Sequence, residues 1–164
     1  MTWNEIVTEP SLQNLPFKIE TNEWGQIVMS PATNKHSRFQ GRILVLLSKL
    51  VADGEVMPEC SIQTSKGVKV ADVVWASHQF LSTFGDQTPY IVAPEICLEV
   101  RSPSNSTLEI KAKIDLYLAK GAREVWISDE YGKLEFFSHA GKLEKSVLIP
   151  AFPSDIELTN TESE

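Results

Sequence analysis

Cysteines, basic residues and long apolar runs are all scarce in this sequence. Its 164 residues include two cysteines and 15 lysines and arginines against 22 acidic residues, and no apolar stretch approaches the roughly 20 residues of a membrane helix. The low cysteine count argues against a disulfide framework, and Cys60 and Cys97, both in apolar strand-like segments, are interpreted as reduced buried thiols. The N-terminal residues lack the basic start and apolar core of a signal peptide, so we expect a cytoplasmic location.

The shortage of positive charge bears on the class of partner. A net charge of −7 argues against a broadly basic nucleic-acid surface, because affinity for a phosphate backbone comes mainly from lysine and arginine. However, carboxylates that bind a metal ion add negative charge that the ion offsets, and a local groove can be basic on an acidic protein. The charge therefore weakens a nucleic-acid hypothesis without excluding it.

What is present fits one globular domain. Hydrophobic residues make up 42% of the chain, and a chain of this length can bury a substantial core. We predict a single domain over residues 1–158, followed by a polar tail over residues 159–164.

Hydrophobic periodicity predicts the order of helices and strands. Helices are predicted over residues 35–52 and, after a capping box at 106–109, up to residue 120. Strands are predicted over residues 27–29, 55–64, 68–76, 91–101, 124–129 and 134–138, with a polar loop over residues 77–89. The strand-helix-strand unit over residues 91–129 favours a parallel crossover. The predicted fold class is therefore α/β, a mixed central sheet flanked by helices, with added hairpins.

Two carboxylates interrupt apolar strands. Strand alternation places Asp72 on the face of Val70 and Val74, and Glu99 interrupts the next apolar strand just before it ends. Taken singly, Asp72 is equally well read as a salt-bridge or turn-capping residue, and Glu99 as an exposed strand-end residue paired with Arg101. If the two strands are neighbours, the carboxylates converge, and like charges held together favour a bound ion of the Mg²⁺ type.

A lysine in the following helix is the third candidate. Ile110, Ile114 and Tyr117 form an apolar stripe, and at helical spacing Lys113 falls inside or beside it. From there Lys113 could reach the carboxylates and orient or deprotonate a water. The alternative is that its side chain extends to solvent, which is commoner for a single lysine.

Together these residues resemble a known family. The resemblance rests on the residues Ala71-Asp72, Glu99-Val100-Arg101-Ser102-Pro103-Ser104, Lys113, Tyr117, Gly121, Glu124-Val125-Trp126-Ile127 and Asp129. This pattern resembles the PD-(D/E)xK nuclease superfamily and, within it, the restriction endonuclease-like branch known as the Uma family, second type. The likeness extends from Gly25 to Phe152-Pro153 and implies a restriction endonuclease-like fold.

The resemblance also implies roles for individual residues. Asp72 and Glu99 would bind Mg²⁺ or Mn²⁺, with the backbone carbonyl of Val100 as a further ligand, and Lys113 would be the catalytic lysine. The implied activity is endonucleolytic hydrolysis of phosphodiester bonds in DNA, and fold-level analogy suggests a homodimer. His36, at a family position, would contact a metal-bound water or the substrate, although a solvent-facing histidine at a helix start is an equally good reading.

The chain departs from the family pattern in three places. Ala71 stands where a proline precedes the aspartate, which should be tolerable because that proline supplies no ligand. Arg101 stands at a usually apolar strand position; its guanidinium could contact a phosphate but cannot act as a base. Gly25-Gln26 replaces Gly-Glu, so an extra carboxylate is either missing or supplied by Glu23 or Glu20.

Two other classes of function remain open. One is a catalytically silent, regulatory domain with a nuclease fold, which the net charge favours. The other is a protein-binding module in which the acidic residues are incidental. In the second case, changing Asp72 and Glu99 to alanine should leave the function unchanged.

Overall fold

A computed structural model describes residues 1–158, which form helices, a six-stranded sheet and a separate two-stranded sheet. The helices are α1 (Trp3–Thr8), α2 (Asn34–Leu50), α3 (His78–Phe84) and α4 (Thr107–Ala119). The strands are β1 (Phe17–Thr21), β2 (Ile27–Pro31), β3 (Glu55–Thr64), β4 (Gly67–Ala76), β5 (Ile96–Val100), β6 (Glu124–Ser128), β7 (Leu134–Ser138) and β8 (Gly141–Leu143). The polar tail predicted for residues 159–164 lies outside the described residues.

The six-stranded sheet is mixed, as predicted. Its strands follow the order β3-β4-β5-β6-β7-β8; β5 and β6 pair in parallel, and every other neighbouring pair is antiparallel. Helix α4 makes the crossover between β5 and β6, which confirms the predicted parallel unit. No helix among residues 1–158 is long and apolar enough to cross a membrane.

Two hydrophobic layers cover the two faces of this sheet. On one face, Ile110 and Tyr117 of α4 pack with Val74, Cys97 and Val125 of the central strands. On the other face lie side chains of α2 and of the segment after β8, namely Phe39, Ile43, Leu47, Ile149, Phe152 and Ile156. Alternation along β5 therefore directs Cys97 and Ile96 into different layers, as period two requires.

Both cysteines are buried thiols, as predicted from the sequence. Cys60 and Cys97 are both buried and unpaired. Burial raises the pKa of the Cys60 thiol to about 12 and also raises that of Cys97, which keeps both thiols protonated near neutral pH.

The two-stranded sheet β1-β2 packs against the hairpin β3-β4. Val68 N donates to Thr21 Oγ1 at 2.8 Å, and Val70 N donates to Glu20 Oε2 at 2.7 Å. The contact is close enough to require glycine at Gly67, where φ is +93° and a Cβ would lie 2.4 Å from the carbonyl oxygens of Thr21 and Asn22. The C-terminal half of β1 is thereby fixed to the edge of the large sheet.

Two sequence predictions were wrong for residues 77–101. The polar loop predicted over residues 77–89 contains helix α3, because Ser77 caps its start by accepting from Phe80 N at 3.0 Å and Phe80 itself is buried. The strand predicted over residues 91–101 is confined to β5, because Pro94 lacks an N–H and Ala93 N donates to Lys120 O instead of to a strand. Strand β1 and helix α1 were not predicted.

The capping box predicted before α4 is half present. Ser106 Oγ accepts from Glu109 N at 3.1 Å, as expected for an N-cap. The Glu109 carboxylate accepts from the Asn105 side chain at 3.3 Å instead of from Ser106 N. One of the two reciprocal bonds is therefore enough to begin this helix.

The buried carboxylate of Glu124 fixes the segment after β8. Its Oε1 accepts from Trp126 Nε1 at 2.8 Å and Ser146 Oγ at 2.6 Å, and its Oε2 accepts from the backbone N–H groups of Val147 and Leu148, both at 2.9 Å. Four donors would lose their partner if this carboxylate were removed.

We therefore expect Glu124→Ala to lower the free energy of unfolding by about 3 kcal/mol or more, because buried donors left unpaired each cost about 1–3 kcal/mol. Urea denaturation followed by tryptophan fluorescence measures this loss. Glu135→Ala is the matched control, since Glu135 pairs with Lys142 at the surface, and it should change the value by less than about 1 kcal/mol. Equal effects of the two substitutions would contradict the role given to Glu124.

Candidate functional site

A cavity of about 430 Å³ opens between the β1-β2 sheet, α2, α4 and the central strands. Its lining includes side chains from every one of these elements, among them Lys18, Glu20, His36, Asp72, Glu99 and Lys113. Residues that lie far apart in the sequence, on both strands and helices, therefore meet in one cleft.

Asp72 and Glu99 meet because their strands are neighbours. The pairing of Val73 with Leu98, continued by one residue, places Asp72 directly opposite Glu99. Both carboxylates are almost fully buried, with exposed fractions of 2% and 3%. The Asp72 carboxylate also bonds to the backbone of the β5 strand, since its Oδ2 accepts from Val100 N at 2.7 Å.

The pairing of β3 with β4 is interrupted opposite Asp72. Glu59 lies opposite Asp72 in this register and adopts φ of +53°, a left-handed conformation that is uncommon outside glycine. The Asp72 carbonyl accepts instead from the Gln40 side-chain amide of α2 at 2.9 Å. Asp72 is therefore fixed by two hydrogen bonds, one from Val100 N to its carboxylate and one from Gln40 to its carbonyl. Neither was predicted from the sequence.

Lys113 reaches the cluster from α4. Its Nζ donates to Glu20 Oε2 at 2.9 Å and to Glu99 Oε1 at 3.3 Å. One turn further along α4, the buried Tyr117 hydroxyl donates to Glu99 Oε2 at 2.6 Å. Helical spacing therefore places an ammonium group and a hydroxyl on the two oxygens of one carboxylate.

Glu20 is the third carboxylate of the cluster. It lies in the buried half of β1, and its Oε2 accepts from both Lys113 Nζ and Val70 N. Glu23, the other sequence candidate for an extra acidic residue, is exposed. Of the two residues considered for this position, the structure brings Glu20 into the site and leaves Glu23 outside it.

Lys18 is the residue that sequence reasoning missed. Its Nζ lies between the two strand carboxylates, 3.2 Å from Asp72 Oδ1 and 2.8 Å from Glu99 Oε1, and 3.9 Å from Glu20 Oε2. Only the alternation of Lys18 with Glu20 along β1 could have indicated a shared face, and that strand itself was not predicted.

His36, in the first turn of α2, contacts the cluster through Asp72. Its Nε2 lies 3.2 Å from Asp72 Oδ2, so it is not a solvent-facing histidine. Its Nδ1 is buried and has no hydrogen-bond partner within residues 1–158.

Val100 and Arg101 occupy different surroundings. Val100 lines the cleft and contributes its N–H to Asp72, whereas the predicted role of its carbonyl stays a prediction. The Arg101 guanidinium donates to Asn105 O at 3.2 Å and Thr107 Oγ1 at 3.3 Å, and it lines neighbouring cavities. The structure therefore does not bring the Arg101 side chain together with the carboxylates.

Burial and charge set the protonation of the cluster. Burial raises the pKa of Asp72, but the Lys18 ammonium and the His36 hydrogen bond lower it by more, so its pKa lies well below the ordinary value. For Glu99, burial prevails over the opposing effect of Lys113 and Lys18, and its pKa is raised. The hydrogen bond to Asp72 raises the pKa of His36. Asp72 is therefore the carboxylate that stays ionised most firmly.

The cluster has the donor chemistry of a magnesium site, with one obstacle. Asp72 and Glu99 supply hard oxygen ligands, and their contacts with a single ammonium nitrogen demonstrate that one cation can touch both. No grouping of three or more histidine, cysteine, aspartate or glutamate residues within residues 1–158 is already arranged around a metal position. The residues therefore fit a divalent ion on condition that Lys18 moves.

The family model and the solved structure that resemble this chain are both described as nucleases. A family model described as "Putative restriction endonuclease" (Uma2) matches residues 12–159. A crystal structure described as a putative nuclease belonging to DUF820 from Anabaena variabilis has a similar fold, with a TM-score of 0.65 and 19% sequence identity. The match covers 84% of this chain and 79% of that one. No curated protein matches the sequence.

Proposed function

The chain belongs to the Uma2 family of "Putative restriction endonuclease" proteins, and from this premise we propose that it is a metal-dependent endonuclease acting on DNA. The observation that carries the proposal is the convergence of Asp72 and Glu99 on one cation position beside Lys113. Two buried carboxylates held at one point, with a lysine beside them, can hold a metal ion for phosphodiester hydrolysis and place a positive charge next to it.

The proposed division of labour follows from the contacts. Asp72 and Glu99 would hold Mg²⁺ or Mn²⁺, which supplies Lewis acidity toward a phosphoryl oxygen and toward the attacking water. Tyr117 and the Val100 N–H fix the orientation of these carboxylates, because each donates to an oxygen on one of them. Holding the ligands before the substrate arrives lowers the cost of ordering the site.

Lys113 would act on the water and the phosphate. An ammonium group has three N–H donors, and two of those on Lys113 go to Glu20 and Glu99. The third would orient the attacking water and offset the negative charge that develops on the phosphate in the transition state. His36, in contact with Asp72, would position that carboxylate, and Arg101 would at most contact a phosphate outside the cluster.

The test is cleavage of supercoiled plasmid, single-stranded DNA and single-stranded RNA of matched length, each with millimolar Mg²⁺, Mn²⁺ or EDTA. The proposal predicts cleavage of DNA with either metal and none with EDTA. Preferential cleavage of RNA would overturn the DNA assignment alone. A homodimer would supply two copies of the site, one for each strand of a duplex.

A specific observation favours a second candidate function. Lys18 already supplies a counterion to the carboxylate pair, as expected of a nuclease fold that has become a regulatory or protein-binding domain. The net charge of −7 agrees with that alternative. Absence of metal-dependent cleavage of every substrate, both by the wild type and by Lys18→Met, would favour the silent domain.

A further inference from the structure

We propose that Lys18 is an intramolecular cation that holds the carboxylate pair closed and is displaced when a divalent ion binds. The inference deepens the proposed function and rests on it, because it assumes that Asp72 and Glu99 take a metal ion. It assigns to β1 a regulatory role at the same site: the affinity for metal is set by competition with a lysine of the chain itself.

The position of the ammonium group is the first support. Lys18 Nζ touches both strand carboxylates at once, at 3.2 Å from Asp72 Oδ1 and 2.8 Å from Glu99 Oε1. An ion coordinated by the same two oxygens would have to lie where this nitrogen lies. A divalent cation and an ammonium group at one point repel each other strongly in a buried site.

The charge balance of the cluster is the second support. Three carboxylates, those of Glu20, Asp72 and Glu99, face the ammonium groups of Lys18 and Lys113. A divalent ion added beside Lys18 would raise the charge of the cluster by two, whereas an ion that replaces Lys18 raises it by one. Exchange is therefore electrostatically more favourable than addition.

The structure also leaves room for the exchange. The C-terminal half of β1 is anchored through Glu20 and Thr21, but Lys18 lies in the less buried half, beside the exposed Phe17. The Lys18 side chain borders the 430 Å³ cavity. A flexible four-carbon side chain can rotate into that space without disturbing the strand.

The test is Mn²⁺ binding to the full chain, measured by electron paramagnetic resonance of the free ion. Lys18→Met keeps an unbranched side chain of similar length and removes its charge, so it should bind Mn²⁺ at least about tenfold more tightly than the wild type. Lys18→Arg keeps the charge and should bind as weakly as the wild type. Lys142→Met, which removes an exposed lysine paired with Glu135, is the matched control and should not change the affinity.

Thermal melting supplies the second measurement. In metal-free buffer Lys18→Met should melt below the wild type, since buried carboxylates lose a counterion, and Mn²⁺ should raise its melting temperature by more. If Lys18→Met is unfolded without metal, refolding on addition of Mn²⁺, followed by circular dichroism, supports the inference. Failure to refold at saturating Mn²⁺ overturns it.

The outcomes separate this inference from the proposed function. Equal Mn²⁺ affinity of the wild type and a folded Lys18→Met overturns the displacement by Lys18 and leaves the metal site standing. Tight binding by Lys18→Arg equally overturns it, because charge would then not be the cause. No Mn²⁺ binding by any variant overturns both the inference and the metal-dependent function.

Discussion

Asp72→Asn should lower the rate of metal-dependent DNA cleavage by on the order of 1,000-fold, since the lost contribution is several kcal/mol of transition-state charge stabilisation. Asparagine has the shape of aspartate, but it lacks the charge that would hold a divalent ion opposite Glu99. Its amide oxygen can still accept from Val100 N, so the strand contact that orients the side chain is preserved. Initial rates of plasmid nicking with Mn²⁺ measure the effect.

A neighbouring acidic residue outside the cleft provides the control. Asp115 is exposed on α4 and lines other cavities, so Asp115→Asn should retain the wild-type rate. Unfolding is excluded as the cause if Asp72→Asn retains the circular dichroism spectrum of the wild type. Comparable rates for Asp72→Asn and Asp115→Asn would remove Asp72 from the active site.

Lys113→Met is expected to lower kcat by on the order of 100-fold and to leave KM nearly unchanged, because an interaction made mainly in the transition state is lost. The ammonium group of Lys113 bridges Glu20 and Glu99, and methionine fills most of the space of the lysine side chain without a charge or a donor. Steady-state kinetics on a short duplex separate kcat from KM.

Lys111→Met, an exposed neighbour on the same helix, is the matched control for that substitution and should behave as the wild type. Lys113→Arg tests the nature of the contribution, because it restores the charge with a different geometry, and partial recovery of kcat is expected. A rise in KM with unchanged kcat in Lys113→Met would instead assign Lys113 to binding of the substrate.

The parts of the site predicted from sequence are those carried by regular elements. Asp72 and Glu99 stand out because each interrupts an apolar strand, and Lys113 because it falls beside an apolar helical stripe. The pairing of β4 with β5, which the sequence left as a condition, and the helical spacing of α4 then bring these three side chains together. The same reasoning supplied the mixed sheet and its parallel crossover.

The parts that sequence reasoning missed depend on tertiary contacts. Lys18 enters the site, and Glu20 enters it in preference to Glu23, only because the β1-β2 sheet packs on β4; a five-residue strand with two charged residues gives no clear period. The left-handed conformation of Glu59 has no sequence signature, since it arises where the ladder opens around Asp72. Arg101 follows Glu99 and Val100 in sequence, but its side chain donates to Asn105 O in the loop before α4.

The presence of Lys18 changes how the candidate site is understood. From sequence, Asp72 and Glu99 form a like-charged pair that needs an ion; in the structure, an ammonium group of the chain already meets that need. The pair therefore does not by itself demonstrate metal binding. The active-enzyme and silent-domain accounts differ in whether Lys18 can be displaced.

The most direct measurement is a crystal structure of the wild type soaked in Mn²⁺, with data collected for anomalous scattering from manganese. The account predicts one anomalous peak between the carboxylates of Asp72 and Glu99, with the Lys18 side chain rotated away from both. A peak elsewhere, or density for Lys18 between the carboxylates at a Mn²⁺ concentration that supports cleavage, would contradict it.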